Sequence, residues 1–423
     1  VNRSVPTRGD HWKATLREAD NEIWVALAFV VLVAIGWWVG SLALSIVGAL
    51  GALTSATLYL WQRECLTAVS YHRSLGAERA EFGDEVAMSI EIVNDKLLPV
   101  SWLHIEDVVP SSLVLRGGNV RAERGSARLV NVLPVLPYQR VRRRVTVECR
   151  ERGVHYFGPA TLRSGDPVGL RSRSVAVPGQ LQLLVYPKRF VLEPAGLVSR
   201  VLVGDVRTHQ QFLEDPSRMT GVREYRAGDP LRWIDWRATA RTTVMLVRVF
   251  EPTVNLRVAL FVDFWAPHLL RWFPDTSRVE LTIAIAASLA SDLVERGVEV
   301  GLFGSGSVDG APLAIAPSSA PSQLALVLEA LARCSPVASA PLSSVLSAEC
   351  GHLRWGTSVV VVACDFPEPT LDALAELRRR HAVTAVWVRG EQGRPPPEEH
   401  VDTLLQAEHT DDWRDKDILE LAL

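Results

Sequence analysis

Lysine is almost missing from this chain. Of its 45 basic residues only Lys13, Lys96, Lys188 and Lys416 are not arginine, and the formal net charge at pH 7 is −3. Such a balance gives no bulk attraction to nucleic acid, and arginine used everywhere in place of lysine points to a GC-rich genome rather than to phosphate binding. The five cysteines, Cys65, Cys149, Cys334, Cys350 and Cys364, form no CxxC pair and have no histidine at metal-ligand spacing. That excludes a zinc ribbon, and the odd count argues against a disulfide-stapled secreted scaffold. Reduced, buried thiols are expected. There is no His-x-x-x-His pair, no Gly-x-Ser-x-Gly elbow and no P-loop lysine after Gly304-Ser305-Gly306-Ser307, so three common hydrolase and nucleotide signatures are absent.

Charge is also missing locally. From Ile23 to Leu60 not one charged residue or histidine occurs, a run too long for one helix across a ~30 Å hydrocarbon core. Two spans fit, Ile23 to Trp38 and Leu42 to Leu60, joined by Val39-Gly40-Ser41. Trp37 and Trp38 would mark the far interface, Trp24 and Trp61 the near one. Arg3, Arg8, Lys13 and Arg17 precede the run and Arg63, Arg73 and Arg79 follow it, which places both ends on the cytoplasmic side. A cleaved signal peptide would have an apolar core of only about 7–15 residues. Ser45, Gly48, Gly51, Ala52 and Ser55 give the second span a small-residue face for packing, on the first span or on another helix. The expected localisation is the inner or plasma membrane, two-pass, with both termini and the soluble domains cytoplasmic.

The length, 423 residues, leaves room for about three domains at roughly 150 residues each. A cytoplasmic segment (1–22) and a two-span transmembrane hairpin (23–61) are followed by an all-β, sandwich-like domain (80–190). There Val86 to Val93 and Val141 to Glu148 alternate at period two, between turns such as Gly117-Gly118-Asn119 and Asp166-Pro167-Val168-Gly169. Arg142, Arg143 and Arg144 fall in one of these strands and read as a solvated edge or outer face. A linker (191–250) carries a motif, and residues 251–423 alternate strands with helices: Leu256 to Asp263, Ser277 to Arg296, Val298 to Phe303, Ser322 to Arg333, Ser358 to Cys364, Thr370 to Arg380 and Val383 to Val388. Near-continuous apolar strands of this kind form a parallel, doubly wound α/β sheet, with ligands beyond the carboxyl ends, at the loops after Asp263, Gly304 and Asp365. The last residues are expected to form a terminal helix.

The motif is Gly221 to Arg241, five arginines, three acids, a tyrosine and two tryptophans around Gly228-Asp229-Pro230. Asp229 suits a helix cap and Pro230 the first helical position. Leu231, Ile234 and Ala238 then share one side, Arg232 can pair with Asp235, and Trp233 and Trp236 give an aromatic face. Thr243 to Phe250 reads as a strand with Arg248 turned outward. Two accounts of Arg223, Arg232 and Arg241 stand side by side: bidentate partners of Asp229, Asp235 and loop carbonyls that fix an inter-domain joint, or a recognition surface of the Trp–Arg kind.

Arg223-x-Tyr225-x-x-Gly228-Asp229-x-x-Arg232-x-Ile234-x-Trp236, with Arg152 to Pro159, Asp166 to Leu170 and Val185-Tyr186-Pro187, resembles the Domain of Unknown Function 58 family, membrane-anchored bacterial proteins with a von Willebrand factor A-like domain. The resemblance implies a partner of MoxR-type AAA+ ATPases, found beside transglutaminase-like membrane proteins, with no reaction of its own. It would be an adaptor or scaffold at the cytoplasmic membrane face, touching lipid and protein but not nucleic acid. It also implies a metal loop, Asp-x-Ser-x-Ser, after the first strand. Here the loop reads Asp263-Phe264-Trp265-Ala266-Pro267, so Trp265 and Pro267 stand where hydroxyls belong. Asp263 and Asp365 alone are a thin ligand set for Mg²⁺, and no metal or other cofactor is expected. Recognition would then use other surfaces, such as an exposed Phe264–Trp265 pair. The alternative is a metal-assisted hydrolase using Asp263 and Asp365.

Overall fold

The computed structural model describes residues 27–123, 126–169, 171–193, 214–226, 234–242, 244–252, 257–266, 275–354 and 356–422. The chain is a mixed helix-and-sheet protein that divides into two compact units, Val1–Leu184 and Val185–Leu423.

The first unit begins with helices α1 (Leu27–Val39) and α2 (Leu42–Glu64). Gly40, at φ 70°, turns the chain between them, and Ser41 N–H donates to Gly36 O at 2.9 Å. The small residues are spent on close approach. A Cβ at Gly48 would lie 2.9 Å from Val33, one at Gly36 would lie 2.6 Å from Ser45, and one at Gly51 would overlap the Phe29 ring. Only α2 is long and apolar enough among the described helices to cross a membrane, and it runs on past Leu60 to Glu64. The first span's opening residues, Ile23 to Ala26, lie outside the described residues, as do residues 1–22.

Strands follow from Val69 rather than from residue 80. An antiparallel four-stranded sheet runs in the order Val69–Leu75, Glu85–Asn94, Arg140–Glu148, Val114–Arg116. An antiparallel five-stranded one runs Ser172–Val177, Ala160–Gly165, Val100–Val109, Ser126–Val135, Val120–Glu123. Period-two patterning sets their buried faces, as in Val86, Met88, Ile90 and Ile92. The arginine run is solvated, and it lies where its strand is open on one side, since Val114–Arg116 pairs only with Thr146, Val147 and Glu148; Arg140 and Arg142 pair with Glu91, and Arg143 donates to Asn131 Oδ1 at 2.7 Å.

The second unit holds a small two-stranded sheet, Glu214–Glu224 with Leu246–Pro252, and the short helix α3 (Trp236–Thr242). Its main sheet has six strands: β1 (Arg257–Val262), β2 (Glu299–Val308), β3 (Ala311–Ser318), β4 (Ser358–Ala363), β5 (Val383–Arg389) and β6 (Thr403–Glu408), in the order β3-β2-β1-β4-β5-β6. All pairings are parallel except β2 with β3. The central strand alternates between two cores. Val258, Leu260 and Val262 join α4 (Thr276–Glu295) and α5 (Gln323–Arg333), while Ala259 and Phe261 join α6 (Leu342–Cys350) and α7 (Glu368–Arg378). Helices therefore cover both faces, which is why these strands read as unbroken apolar runs.

The expected terminal helix is not formed. Thr403–Glu408 extends the sheet, and Ile418–Glu420 pairs in parallel with Val191–Glu193, closing the unit's ends on each other. These short strands mix charge with leucine, so neither the 3.6 nor the 2.0 period stands out in them. All five cysteines are buried and unpaired with one another.

At the carboxyl edge of the sheet, Arg278 of α4 is buried and spreads its guanidinium over three backbone carbonyls: Gln392 O at 2.7 Å, Val388 O at 2.6 Å and Cys364 O at 3.2 Å. Gly390 gives it room, since a Cβ there would lie 2.5 Å from Arg278 Nε. Each hydrogen bond from a charged donor is worth about 1.5–3 kcal/mol, and stripped buried carbonyls carry a desolvation cost. Arg278→Ala should lower unfolding free energy by at least about 3 kcal/mol; chemical denaturation of the detergent-solubilised chain measures it, and an unchanged midpoint would refute this role.

Candidate functional site

Two places in the second unit collect the residues that the sequence singles out. The first is the motif. Val222, Arg223 and Glu224 pair with Arg248, Val247 and Leu246 across the two-stranded sheet. Ile234 is buried and bridges to Val247, itself buried. Asp235 caps the described helix: its Oδ1 accepts from Arg237 N–H at 3.1 Å and Ala238 N–H at 3.0 Å. Its other oxygen takes Arg248 Nε at 3.1 Å. Those amides, with the Arg248 guanidinium, hold the Asp235 carboxyl below the ordinary carboxylate range. Thr239 Oγ1 accepts from Leu246 N–H at 3.0 Å, and Tyr225 N–H donates to Met245 O at 2.8 Å, so helix and hairpin are tied at several points.

On this base Trp236 stands 67 % exposed, with Arg237 and Arg241 exposed beside it. Arg223 is exposed and donates to Glu224 O at 3.1 Å, and Tyr225 is half-buried. Gly228, Asp229 and Arg232, with Pro230, Leu231 and Trp233, lie outside the described residues.

The second place is the carboxyl end of β1. The strand order reverses between β1 and its neighbours, where a parallel sheet leaves a crevice, and the sheet brings Asp263 and Asp365 there from β1 and β4. Asp263 is buried; Ser305 Oγ donates to its Oδ1 at 2.7 Å, and Trp265 N–H does so at 3.3 Å. Ser305 Oγ in turn accepts from Phe264 N–H at 2.8 Å. The serine's carbonyl takes Ser339 N–H at 2.7 Å and Ala340 N–H at 3.1 Å, binding in the loop ahead of α6. Burial pushes the Asp263 carboxyl up to about 6, and Asp365 adds repulsion, against the lowering by Ser305 and Trp265. Asp365 is only partly buried and accepts from Arg394 N–H at 2.8 Å, on the loop that Arg278 organises. A cavity of about 390 Å³ opens beside Asp263, lined by Trp265, Ser339, Pro341, Pro367 and Thr370. Burial lifts the nearby Cys364 thiol to about 12, so it is no nucleophile at neutral pH.

Two expectations are corrected here. Phe264 is fully buried and only Trp265 reaches solvent, so there is no exposed aromatic pair. The reason lies on the next strand: a Cβ at Gly304 would come within 2.9 Å of the Phe264 ring, and one at Gly306 within 3.0 Å. Gly304 to Ser307 is therefore no loop but part of β2, its glycines making room for Phe264 and its Ser305 reaching Asp263. Pro267 lies outside the described residues. Among the described residues no group of three or more His, Cys, Asp or Glu side chains is placed to hold a metal ion.

Residues 221–412 match the family described as protein of unknown function DUF58. Over those residues the chain is similar to the DUF58 family. The DUF58 match takes in both places just described. Of curated proteins, uncharacterized protein YeaD of Bacillus subtilis (strain 168) is 22% identical over 235 residues, 54% of each chain. The chain thus spans about half the length of that relative. Similarity to solved structures is slight. A cohesin module of a Clostridium perfringens family 33 glycoside hydrolase is 10% identical at a TM-score of 0.22, covering 28% of this chain and 97% of its own. A non-cellulosomal cohesin of Archaeoglobus fulgidus is 13% identical at 0.20, covering 27% and 91%.

Two outcomes follow for the DUF58 region. Asp263 is protonated more readily folded, at about 6, than unfolded, at about 3.9. The native state therefore binds the extra proton, and stability falls as pH rises from about 4 through about 6, by up to about 3 kcal/mol at about 1.4 kcal/mol per pKa unit. Asp263→Asn should remove that slope in melting curves from pH 4 to 8; an identical slope in the variant would contradict it. Asp235→Ala should speed amide exchange at Arg237 and Ala238 selectively, with β1 and β4 unaffected, as read by hydrogen–deuterium exchange.

Proposed function

We propose that this protein is a membrane-anchored, non-enzymatic adaptor or scaffold whose motif binds a MoxR-type AAA+ ATPase during assembly or activation of client proteins. A transglutaminase-like membrane protein is a further candidate partner. In this reading α1 and α2 form a two-pass hairpin with the soluble units on the cytoplasmic side, and the six-stranded sheet is a von Willebrand factor A-like domain. The observation that carries it is Trp236. An aromatic side chain 67 % exposed, flanked by exposed Arg237 and Arg241, sits on a helix pinned by Asp235 and Thr239. Exposing so large an apolar surface on a rigid mount costs solubility without helping the fold, and Trp with Arg is the usual composition of a binding hot spot.

A metal-assisted hydrolase is the second reading, favoured by the meeting of Asp263 and Asp365 beside a cavity. The donor set does not fit a hard cation. Burial raises the Asp263 carboxyl to about 6, its Oδ1 already takes two hydrogen bonds, and Asp365 accepts from Arg394 N–H. Mg²⁺ needs about six oxygens in near-octahedral array. No catalytic step is assigned to these residues.

Trp236→Ala should weaken binding to the ATPase by about 30-fold or more, the size expected for a central tryptophan, while leaving the melting temperature in place. Surface plasmon resonance on the detergent-solubilised chain, with Arg232→Ala in parallel, reads this. Binding unchanged by either substitution would defeat the role given to the motif.

A further inference from the structure

Four large apolar side chains stand out from one end of the first unit: Leu97 (76 % exposed), Leu136 (60 %), Tyr138 (67 %) and Val168 (69 %). Scattered exposed apolar residues are ordinary, but these are gathered by the sheet register. Val100 is opposite Val135, Val93 opposite Arg140, Ser164 opposite Leu103 and Gly165 opposite Ser172. The turns carrying Leu97, Leu136 with Tyr138, and Val168 therefore leave the sheets at the same end. The first two are bound into one platform. Tyr138 N–H donates to Lys96 O at 3.2 Å, and Asn94 Nδ2 donates to both Leu98 O and Leu136 O at 3.0 Å.

This is also the end that receives α2. Lys96 Nζ donates to Cys65 O at 2.7 Å and Thr67 O at 2.5 Å, closing the helix's last carbonyls, and Asp95 N–H donates to Ala68 O at 3.0 Å. From the side of the third turn, Arg173 Nη1 donates to Arg63 O at 3.2 Å. The uncharged run ends at Leu60. Cys65, five residues on, is about 7.5 Å farther along a helix axis. The polar layer outside the hydrocarbon core is about 5–8 Å deep on each side. Loops clamped to Cys65 and Thr67 are thus held at headgroup level, and their tips are apolar.

We propose that this end of the first unit is a second membrane contact, with Leu97, Leu136, Tyr138 and Val168 seated in the interfacial layer of the bilayer that α2 crosses. The inference rests on the membrane-anchored reading and deepens it. Leucine and valine tips gain by leaving water, and a tyrosine keeps its hydroxyl among the headgroups while burying its ring. The basic groups here, Arg63, Lys96 and Arg173, suit phosphate-rich surroundings; of the acids, Glu64 lies beside Arg63 and Asp166 accepts from Arg171 N–H, while Asp95 is exposed in the turn of Leu97. Anchoring through a helix end and a ring of loops would fix the tilt of the first unit against the membrane instead of leaving it on a swivel.

The test uses the full chain reconstituted in phosphatidylcholine vesicles. A bimane label is placed in turn at Leu97→Cys, Leu136→Cys and Val168→Cys, with Val132→Cys, equally exposed at 62 % but in mid-strand opposite His104, as the reference. The native cysteines are buried and do not compete for label. Brominated lipids should quench the three tips several-fold more than position 132, and iodide should do the reverse. If the chain floats with the vesicles but the tips are quenched by iodide as freely as position 132, the second contact is refuted and the anchored reading stands. A tip shielded from iodide and also from brominated lipid means a protein covers it, which likewise refutes the contact. If the chain does not float with vesicles at all, both fall.

Discussion

The hydrogen bond from Ser305 to the buried carboxyl of Asp263 is the contact on which the rest of the sheet's functional edge depends. It joins the ends of β1 and β2 and draws Phe264 inward through the same hydroxyl. It also carries, on the serine's carbonyl, the loop that leads into α6. Burial, with repulsion from Asp365, raises this carboxyl to about 6. In the proposed reading an edge tied together by its own hydrogen bonds offers few oxygens to a divalent cation, which takes about six.

In the proposed reading recognition falls to the motif. Its acid and hydroxyl groups are used internally: Asp235 caps α3 and takes Arg248, and Thr239 takes an amide of the facing strand. Trp236 is left outside. Arg248 pairs with Asp235, while Arg237 and Arg241 lie exposed with the tryptophan.

The alternation of apolar strands with helices after Leu256 was legible in the sequence, since strands covered on both faces leave an unbroken apolar signal. So was the meeting of Asp263 with Asp365, because carboxyl ends of neighbouring parallel strands must converge. Other features were not legible because their causes are distant in sequence. Phe264 is buried only because Gly304 and Gly306 on the next strand lack side chains. The cap at Asp235 was hidden because the neighbouring bridge from Ile234 to Val247 is a tertiary contact. The strand at Thr403–Glu408 and the pairing of Ile418–Glu420 with Val191–Glu193 depend on edge positions that a short mixed sequence does not announce. The platform at Leu97 and Tyr138 was equally hidden, since its turns are far apart in sequence and only sheet register unites them.

The central proposal is that this protein works by binding partners, with a carboxyl edge that is structural and not a metal centre. Calorimetric titration of the intact, detergent-solubilised chain with Mg²⁺ and Mn²⁺ at pH 7.5 tests it most directly. The account predicts no saturable heat, in the wild type or in Asp263→Asn. Tight one-to-one binding that disappears in Asp263→Asn would contradict it and restore the hydrolase reading.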